Sequence, residues 1–409
     1  MRILYISQYF NPEIGATSNR AYSNVKLLAQ KGNIVTVLTE MPNHPRGEIF
    51  PEYKGRFFVK EYNNSIHILR IWVYTNPMKT FITRILFYNS FMIFGLLVVL
   101  LNWRKFDLIY VTSPPLFVGG IGLFIKKIFP KVKLVFEVRD LWPEVAIEIG
   151  ELHNKTMIKL SESLARQIYK NSDKIIAVTR LYRNLINKKF KKSLNIELVR
   201  NGSDLEFSKR EDISMCFKQK FNPTNAFLIV YAGNLGLAQN ISFLLDVAKI
   251  LEDENIAFLI IGTGPHEKQL LRKHAQLKLK NVLFIGEIPK SEVSKYFSIA
   301  DCGVVPLRDV PIFQGTIPSK IFDYMSAKLP ILLGVKGEAK SIVEESKAGI
   351  CFEPENCDDF VEKAKWMRDN PNKLVAMANN GYDYVYRNYN RNKLAEKTYS
   401  ILINLMNIK

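Results

Sequence analysis

The stretch that decides the fold is Ala226–Gly236, which reads Ala-Phe-Leu-Ile-Val-Tyr-Ala-Gly-Asn-Leu-Gly. It opens with a short apolar run of the kind that forms a buried strand. Two glycines three positions apart follow, and a helix is expected from about Asn240. A glycine turn between a strand and a helix predicts a loop that faces a phosphate group. The fingerprint G-x-G-x-x-G is absent from this stretch, so the pattern does not indicate a nicotinamide site.

The same alternation of short apolar runs and helical stretches continues on both sides of this stretch. It predicts parallel sheets covered by helices, an α/β fold. In the second half, the expected strands are Ala226–Ala232, Ala257–Ile261, Val282–Ile285, Cys302–Val305 and Ile331–Gly334. In the first half, they are Arg2–Ser7, Ile34–Thr39, His67–Trp72, Asp107–Thr112, Lys133–Glu137, Lys174–Val178 and Ile196–Val199.

A turn-forming cluster, Asn201–Asp204, separates the two series of strands. It predicts two doubly wound, Rossmann-like domains, 1–203 and 204–390. The apolar spacing in Lys393–Lys409 predicts a helix, so that residues 391–409 return to brace the first domain. A chain of 409 residues fits this division, because domains of about 100–200 residues are the usual size.

Composition and cysteine usage point to a folded protein of a reducing compartment. The chain is 47% hydrophobic and 23% charged, which excludes global disorder. The N-terminus shows no signal-peptide pattern. The four cysteines are scattered, without a C-x-x-C pair or a histidine partner at metal-ligand spacing, and so predict inert thiols in the cytoplasm.

The net charge of +18 lies almost entirely in the first half. Residues 1–205 contain 30 Lys and Arg against 15 Asp and Glu, whereas residues 206–409 contain 27 against 24. A basic half attracts polyanions, either nucleic acid or an anionic membrane leaflet, although a solvated basic surface is the plainer alternative. The densest basic cluster, Lys188–Lys192, contains only one aromatic residue, Phe190, which argues against nucleic acid.

One segment of the basic half, Ile85–Leu101, is apolar enough to concern a membrane. As a helix of 17 residues it would be roughly 25 Å long, short of the ~30 Å hydrocarbon core. It also lies between two expected strands of one sheet. We therefore expect a helix of the first domain that dips into the membrane interface with Phe91, Phe94 and Leu97, rather than a membrane span or a fully buried helix.

Further candidate site residues follow strands in both halves. In Pro318–Met325, Ser319 is expected to cap a helix that carries Lys320 and Asp323 on one face, placed for a diphosphate and a ribose diol. The alternative is an ordinary capped helix with an exposed charge pair. Gly15 follows the first strand and allows close backbone approach to a phosphate, unless it is a simple connection.

The block Arg139–Glu144 follows another expected strand and carries two carboxylates and an aromatic ring. Asp140 or Glu144 is a candidate proton acceptor at an acceptor site. The structural alternative is that Arg139 pairs with Asp140, Trp142 packs, and the following proline begins a helix.

Taken together and in this order, these segments resemble the retaining family-4 glycosyltransferases of the GT-B type, over essentially the whole chain. The likeness is greatest to the bacterial branch that transfers N-acetylated amino or deoxyamino sugars in O-antigen and capsule assembly. The residues that carry it are Pro12-Glu13-Ile14-Gly15-Ala16, Arg139-Asp140-Leu141-Trp142-Pro143-Glu144, Ala232-Gly233-Asn234-Leu235-Gly236 with Ala238-Gln239, and Pro318-Ser319-Lys320-Ile321-Phe322-Asp323-Tyr324-Met325.

The resemblance implies two domains facing across a cleft, with a nucleotide-diphosphate sugar, expected to be UDP-linked, held mainly by the second. It implies retention of anomeric configuration, no metal and no other cofactor; the chain contains no Asp-x-Asp. The donor-binding residues carried over are Gly15, Gly233, Asn234, Gly236, Ser319, Lys320 and Asp323, and the catalytic ones are Arg139, Asp140 and Glu144.

With the basic half, the resemblance also implies a polyprenyl-diphosphate-linked acceptor and an anionic membrane surface as partners, and no nucleic acid. The expected location is peripheral, on the cytoplasmic inner face of the plasma membrane. Three positions depart from the family pattern. Its paired glutamates fall on Gly315 and Asp323, a basic residue falls on Gln239, and its histidine falls near Arg139 or Asp140.

Two other classes of function stay open. A non-transferring enzyme of the same fold, such as a sugar-nucleotide epimerase or a phosphorylase, would leave the basic half and the segment near residues 85–101 unexplained. A membrane-binding or nucleic-acid-binding protein without catalysis would not need the donor residues. Binding of a nucleotide sugar separates these classes.

Overall fold

The computed structural model describes residues 1–13, 15–44, 47–63, 65–78, 81–102, 106–190, 194–203, 205, 207 and 213–407. Contacts divide the chain into two units. Unit 1 is Met1–Asn201 with Arg391–Lys409, and unit 2 is Gly202–Asn390. The first segment of unit 1 ends at Asn201, two residues before the boundary expected from the turn-forming cluster. Both units are α/β, as the sequence predicts.

Unit 1 is built on an eight-stranded sheet in the order β3-β4-β2-β1-β5-β6-β7-β8. All neighbouring strands are parallel except β3, which pairs antiparallel with β4 at the sheet edge. The strands are β1 Arg2–Ile6, β2 Ile34–Glu40, β3 Phe58–Asn63, β4 Ile66–Ile71, β5 Leu108–Ser113, β6 Lys133–Val138, β7 Lys174–Ala177 and β8 Ile196–Leu198.

Helices cover both faces of this sheet, so β5 is buried along its whole length, and β1 and β6 are buried at all but their first residue. They are α1 Ala16–Gln30, α2 Phe81–Asn102, α3 Val118–Ile128, α4 Glu144–Glu148, α5 Lys155–Asn171 and α6 Arg180–Lys188, with α15 Arg391–Asn407 from the end of the chain. Helix α15 packs against α1, and Leu402 and Leu405 share one core cluster with Leu28.

Unit 2 is built on a six-stranded parallel sheet in the order β11-β10-β9-β12-β13-β14. Its strands are β9 Phe227–Ala232, β10 Ile256–Ile261, β11 Val282–Gly286, β12 Cys302–Pro306, β13 Ile331–Gly334 and β14 Gly349–Cys351. Its helices are α7 Met215–Phe221, α8 Ile241–Ile250, α9 Glu267–Leu277, α10 Lys290–Ile299, α11 Ser319–Ser326, α12 Glu338–Ser346, α13 Cys357–Asp369 and α14 Pro371–Asn388.

The twelve strands expected from the sequence are all present, and two strands were not expected. Strand β3 is an exposed edge strand whose side chains are mostly solvent-accessible, so it lacks the buried apolar run that marks the others. Strand β14 has three residues and begins at Gly349. Short and exposed strands give little hydrophobic signal, because their pairing partner supplies the stability.

Helix α2 has 22 residues and is roughly 33 Å long, so the expectation that this segment is too short to span a membrane is wrong. By length and composition alone, Ile82–Leu101 is apolar enough to cross a membrane, with a mean hydropathy of 2.0 and only 17% of the segment buried. Phe91 is fully buried, which corrects its expected place in the membrane interface. Gly95 packs on Ile121 of α3, where an added Cβ would lie 2.7 Å from the isoleucine side chain.

Candidate functional site

In unit 2, the loop after β9 is the glycine turn for which the sequence analysis predicts a phosphate ligand. Gly233 has a φ of +144°, and a Cβ at this position would lie 2.7 Å from the Lys320 ammonium. The loop after β10 presses on it from behind, because a Cβ on Gly262 (φ +124°) would lie 2.0 Å from the Gly233 carbonyl oxygen. Only glycine at both positions allows this backbone packing. The two loops therefore fix each other at the carboxyl edge of the sheet.

Lys320 lies in the first turn of α11, beside this glycine loop. Its ammonium lies 4.9 Å from the centre of the Tyr231 ring. Burial lowers the pKa of Lys320 to about 8, and the charge of Asp323 opposes this shift only in part. Within the described chain Lys320 forms no ion pair, and the charge of Asp323 offsets its burial only in part, so this half-buried cation is incompletely neutralised.

The remaining donor candidates surround Lys320 and the loop. Helix α11 begins at Ser319, but its N-cap is Pro318 and no side chain caps it, so the expected capping by Ser319 is wrong. Asp323 is half-buried, one turn further along the helix. Asn234 is exposed, and Gly236 is the N-cap of a short 3-10 turn, Leu237–Gln239. The structure thus brings Gly233 and Lys320 together, with the others close by in the chain.

Two tyrosines that the sequence analysis did not select hold this edge of unit 2 in place. The Tyr231 hydroxyl donates to the Asn234 carbonyl at 2.6 Å. The Tyr324 hydroxyl accepts from the Ala232 amide at 3.1 Å and donates to the Val230 carbonyl at 3.3 Å. Helix α11 is therefore tied to the end of β9. Both tyrosines sit in apolar runs, so their hydroxyl contacts gave no sequence signal.

In unit 1, Gly15 is the N-cap of α1 at the carboxyl edge of the sheet, and α1 begins at Ala16. The preceding Glu13 anchors this loop, because its carboxylate accepts from the amides of Asn43 and His44, both at 2.9 Å. Burial raises the pKa of Glu13 to about 7, against the opposing effect of these hydrogen bonds. The Gly15 loop is thus fixed by a buried carboxyl group.

A buried ion pair occupies the centre of the same edge. Arg20 of α1 donates to one carboxylate oxygen of Glu137 from Nε at 2.9 Å and from Nη2 at 2.7 Å. Tyr110 and Thr112 donate to the same carboxylate at 2.8 Å and 2.7 Å. Burial opposes ionisation of Glu137, but the charge and hydrogen bonds of Arg20 hold its pKa below the ordinary value. Sequence analysis missed Arg20, whose partner is 117 residues away.

Arg139 follows β6 directly and is buried next to this ion pair. Its Nε and Nη1 atoms are buried and have no hydrogen-bond partner among the described residues. Burial and the nearby charge of Arg20 lower its pKa. A buried guanidinium with unused donors is costly, and these donors could be satisfied by the oxygens of an anion. The alternative interpretation expected Arg139 to pair with Asp140. Among the described residues, no hydrogen bond or ion pair joins these two side chains.

The two candidate proton acceptors of this block differ in their surroundings. Asp140 is half-buried, and burial raises its pKa while Arg139 opposes the shift. Glu144 begins α4 and its carboxylate is bound by Lys189, which follows α6. One oxygen of the Glu144 carboxylate is therefore already occupied within the protein. Asp140 is thus the better placed of the two for proton transfer.

Comparison with known proteins gives the class of protein. Residues 17–207 match the family described as "Glycosyltransferase Family 4", and residues 213–384 match "Glycosyl transferases group 1". The two matches meet near the division between the units and together span most of the chain. The chain is therefore a glycosyltransferase that combines a family-4 N-terminal domain with a group-1 C-terminal domain.

Individual relatives agree with this class. The "Putative colanic acid biosynthesis glycosyl transferase WcaI" of Escherichia coli K12 is 24% identical over 385 residues, 88% of this chain and 90% of that protein. Sucrose-phosphate synthase from Thermosynechococcus elongatus has a TM-score of 0.76 at 15% identity and full coverage of both chains. Anabaena HepE, solved with UDP and glucose, has a TM-score of 0.73 at 14% identity, covering 98% of this chain and 99% of that one. These structures establish the GT-B fold.

Proposed function

We propose that this glycosyltransferase moves a sugar from a nucleotide-diphosphate sugar to a lipid-linked acceptor, with retention of configuration and without a metal ion. The observation that carries the donor half is Lys320, a half-buried cation without an ion-pair partner in the described chain, next to the Gly233 loop. A diphosphate supplies the missing negative charge. Asp323, one helical turn away, is placed to accept hydrogen bonds from a ribose diol.

The donor is proposed to be UDP-linked and to carry an N-acetylated amino or deoxyamino sugar. Uracil is proposed as the nucleobase because one structural neighbour, Anabaena HepE, was solved with UDP. The sugar class and a role in the assembly of a surface polysaccharide follow the resemblance set out above and the relative named for colanic acid biosynthesis. Leaving-group charge is to be neutralised by Lys320 and by backbone amides, in place of a metal ion.

The acceptor is proposed to be a polyprenyl-diphosphate-linked sugar that binds at the carboxyl edge of unit 1. Arg139 supports this assignment, because its two unused buried donors match a phosphate group. Asp140 then stands beside the acceptor hydroxyl as the proton acceptor. The basic first half and the exposed apolar surface of α2 support a peripheral position on the inner face of the plasma membrane.

The donor assignment is tested by a thermal-stabilisation screen of UDP-, GDP- and dTDP-sugars on the full chain. A ligand at 100 times its dissociation constant adds about 2.7 kcal/mol of stability, enough for a clear shift in melting temperature. Lys320→Ala is expected to weaken the best donor at least tenfold in calorimetry, because a hydrogen bond to a charged group contributes about 1.5–3 kcal/mol. Unchanged nucleotide binding in this variant would contradict the donor site.

The acceptor assignment is tested with Asp140→Asn. Turnover with a polyprenyl-diphosphate-linked sugar should fall about 10²–10⁴-fold, the usual contribution of a positioned general base. Donor affinity measured by calorimetry should stay within twofold of the parent. Glu144→Gln is the matched control, since Glu144 is held by Lys189, and it should lose far less turnover. A larger loss in Glu144→Gln than in Asp140→Asn would assign the base to Glu144 instead.

A further inference from the structure

A groove in unit 1 lies between the C-terminal half of α2 and the edge strands β2, β3 and β4. It has a volume of about 810 Å³, within the range of 300–1,000 Å³ typical of ligand sites. Its floor is the sheet face that carries Ile34 and Leu69, and its wall is formed by Phe94, Leu97 and Leu101. The opposite face of these strands packs on α1, so the groove lies on the α2 side of the sheet.

Large apolar side chains are exposed around this groove. Leu101 is 84% exposed, Phe57 72%, Tyr62 69% and Leu97 54%. An aromatic series joins the two sides, because the Trp72 ring lies 6.0 Å from that of Phe57 and 5.6 Å from that of Phe94. The apolar surface therefore runs continuously from the edge strand to α2. A contiguous exposed apolar surface is a common feature of interaction sites.

The same edge carries cations that the protein itself does not neutralise. Lys54, Arg56 and Lys60 are exposed, and within the described ranges none of them forms an ion pair. The Lys60 ammonium lies 5.7 Å from the centre of the Phe58 ring, at the mouth of the groove. Aromatic rings and basic side chains next to an apolar surface are typical of the membrane–water interface, where the cations meet lipid phosphates.

The topology decides how α2 can meet the membrane. Its two ends connect to β4 and β5, which belong to the same sheet. Strands β4 and β5 are joined by hydrogen bonds through the intervening strands β2 and β1. A helix that crossed the bilayer would separate β4 from β5 and break the sheet. Its inner stripe, with Phe91 and Val99, is also buried in the protein. Helix α2 therefore lies along the surface and exposes its outer stripe and the groove.

We propose that the groove binds one acyl chain of an anionic phospholipid, with the lipid phosphate held by Arg56 and Lys60. This inference rests on the proposed membrane-facing role of unit 1 and names the lipid that it recognises. The apolar walls remove the acyl chain from water, at roughly 0.8 kcal/mol for each buried methylene group. The basic mouth selects phosphatidylglycerol over phosphatidylcholine. One extracted chain combined with surface charge gives the two signals that stable peripheral anchoring requires.

Trp72 provides a direct reading of groove occupancy, since its ring touches both walls. Vesicles of phosphatidylglycerol and phosphatidylcholine with brominated acyl chains should quench a component of fluorescence that Trp72→Phe removes. Leu97→Gln should weaken this quenching at least fivefold, because it places an amide in the groove wall. Leu160→Gln is the matched control, at a residue that is 65% exposed on α5, and should leave quenching unchanged.

The charge contribution is tested by reversing Lys54, Arg56 and Lys60 to glutamate. Partitioning onto phosphatidylglycerol vesicles should fall at least tenfold, because each cation near an anionic surface contributes about 1 kcal/mol. The matched control reverses three exposed lysines of α5, Lys155, Lys159 and Lys170, with the same change in net charge. Equal losses in both triple variants would show non-specific attraction and overturn the groove.

Three further outcomes would overturn the proposal. Quenching that requires polyprenyl diphosphate in the vesicle would assign the groove to the acceptor's own tail. A dimer in sedimentation that Leu97→Gln dissociates would assign it to a second copy of the chain. Loss of transfer to a soluble short-chain acceptor in Leu97→Gln would assign it to catalysis. Because quenching requires no turnover, failure of the proposed transferase reaction leaves this test intact.

Discussion

Units 1 and 2 use the same arrangement of parallel strands, yet their carboxyl edges carry different chemistry. Unit 1 buries a charged cluster there, with the Arg20–Glu137 ion pair and the unpaired donors of Arg139. Unit 2 places a glycine loop there, with the ammonium of Lys320 beside it. The asymmetry of net charge along the chain follows the same division.

Under the proposed function, the two sheet edges would bind anions in different ways. In unit 2, Gly233 would let the backbone come close to a diphosphate, with Lys320 as the charged group. In unit 1, Arg139 is buried next to Arg20, and the charge of Glu137 acts on both arginines although it is hydrogen-bonded to Arg20. Under the proposed function, unit 1 balances its charges with this internal carboxylate, whereas unit 2 would balance Lys320 with the diphosphate of the donor.

The largest expected effect is on the stability of unit 1. Glu137→Gln leaves Arg20 buried without its counter-ion, which should cost about 3–5 kcal/mol in the free energy of unfolding. Urea unfolding followed by circular dichroism measures this loss. The matched control in unit 2 is Glu254→Gln, whose carboxylate pairs with Lys365 and Arg368 at the surface, and its effect should be a small fraction of that loss. Equal losses in the two variants would remove the contrast between the units.

The next effect separates function from stability within unit 1. Arg139→Met should lower kcat/KM for the lipid-linked acceptor at least 10²-fold, because it removes two hydrogen bonds to a charged phosphate that contribute about 1.5–3 kcal/mol each. Its unfolding free energy should stay the same or rise, because the lost guanidinium had two buried donors without partners. The measurements are kinetics with saturating donor and urea unfolding of the same preparation. A variant that is both inactive and destabilised would give Arg139 a structural role.

A smaller effect concerns the pH dependence of donor binding in unit 2. The pKa of Lys320 is lowered to about 8, so the ammonium is charged below that pH and neutral above it. Donor affinity should therefore weaken as pH rises from 7 to 9, by up to the tenfold expected for losing the cation. Lys320→Arg stays charged throughout and should show a flat profile over this range. A parallel decline in both proteins would exclude Lys320 as the titrating group.

The smallest expected effect is that of a chelator. Turnover should be unchanged in excess EDTA, because Lys320 and backbone amides are proposed to neutralise the leaving diphosphate. The assay compares initial rates before and after chelation and again after magnesium or manganese is added. Activity that disappears with EDTA and is restored by either ion would identify a metal site. It would contradict the proposal that Lys320 and backbone amides suffice to neutralise the diphosphate.

The sequence by itself determined the fold class and the loops that matter. Short runs rich in apolar residues mark twelve of the fourteen strands in the described part of the chain, because a strand buried between helices needs apolar side chains on both faces. The glycines after β9 and the helix that carries Lys320 could also be predicted, because both follow from local sequence patterns. Family resemblance added the role of each segment.

Only the tertiary structure decided which side chains meet. Arg20 and Glu137 are 117 residues apart, and neither belongs to a local motif, so their pairing has no sequence signature. The shifted pKa of Lys320 arises from burial, which the helix sequence does not show. Helix α2 is mostly apolar, and its packing on α3 and β4 selects Phe91 for the interior and leaves Leu97 exposed. Long-range packing sets burial and charge environment, and these set the chemistry of the site.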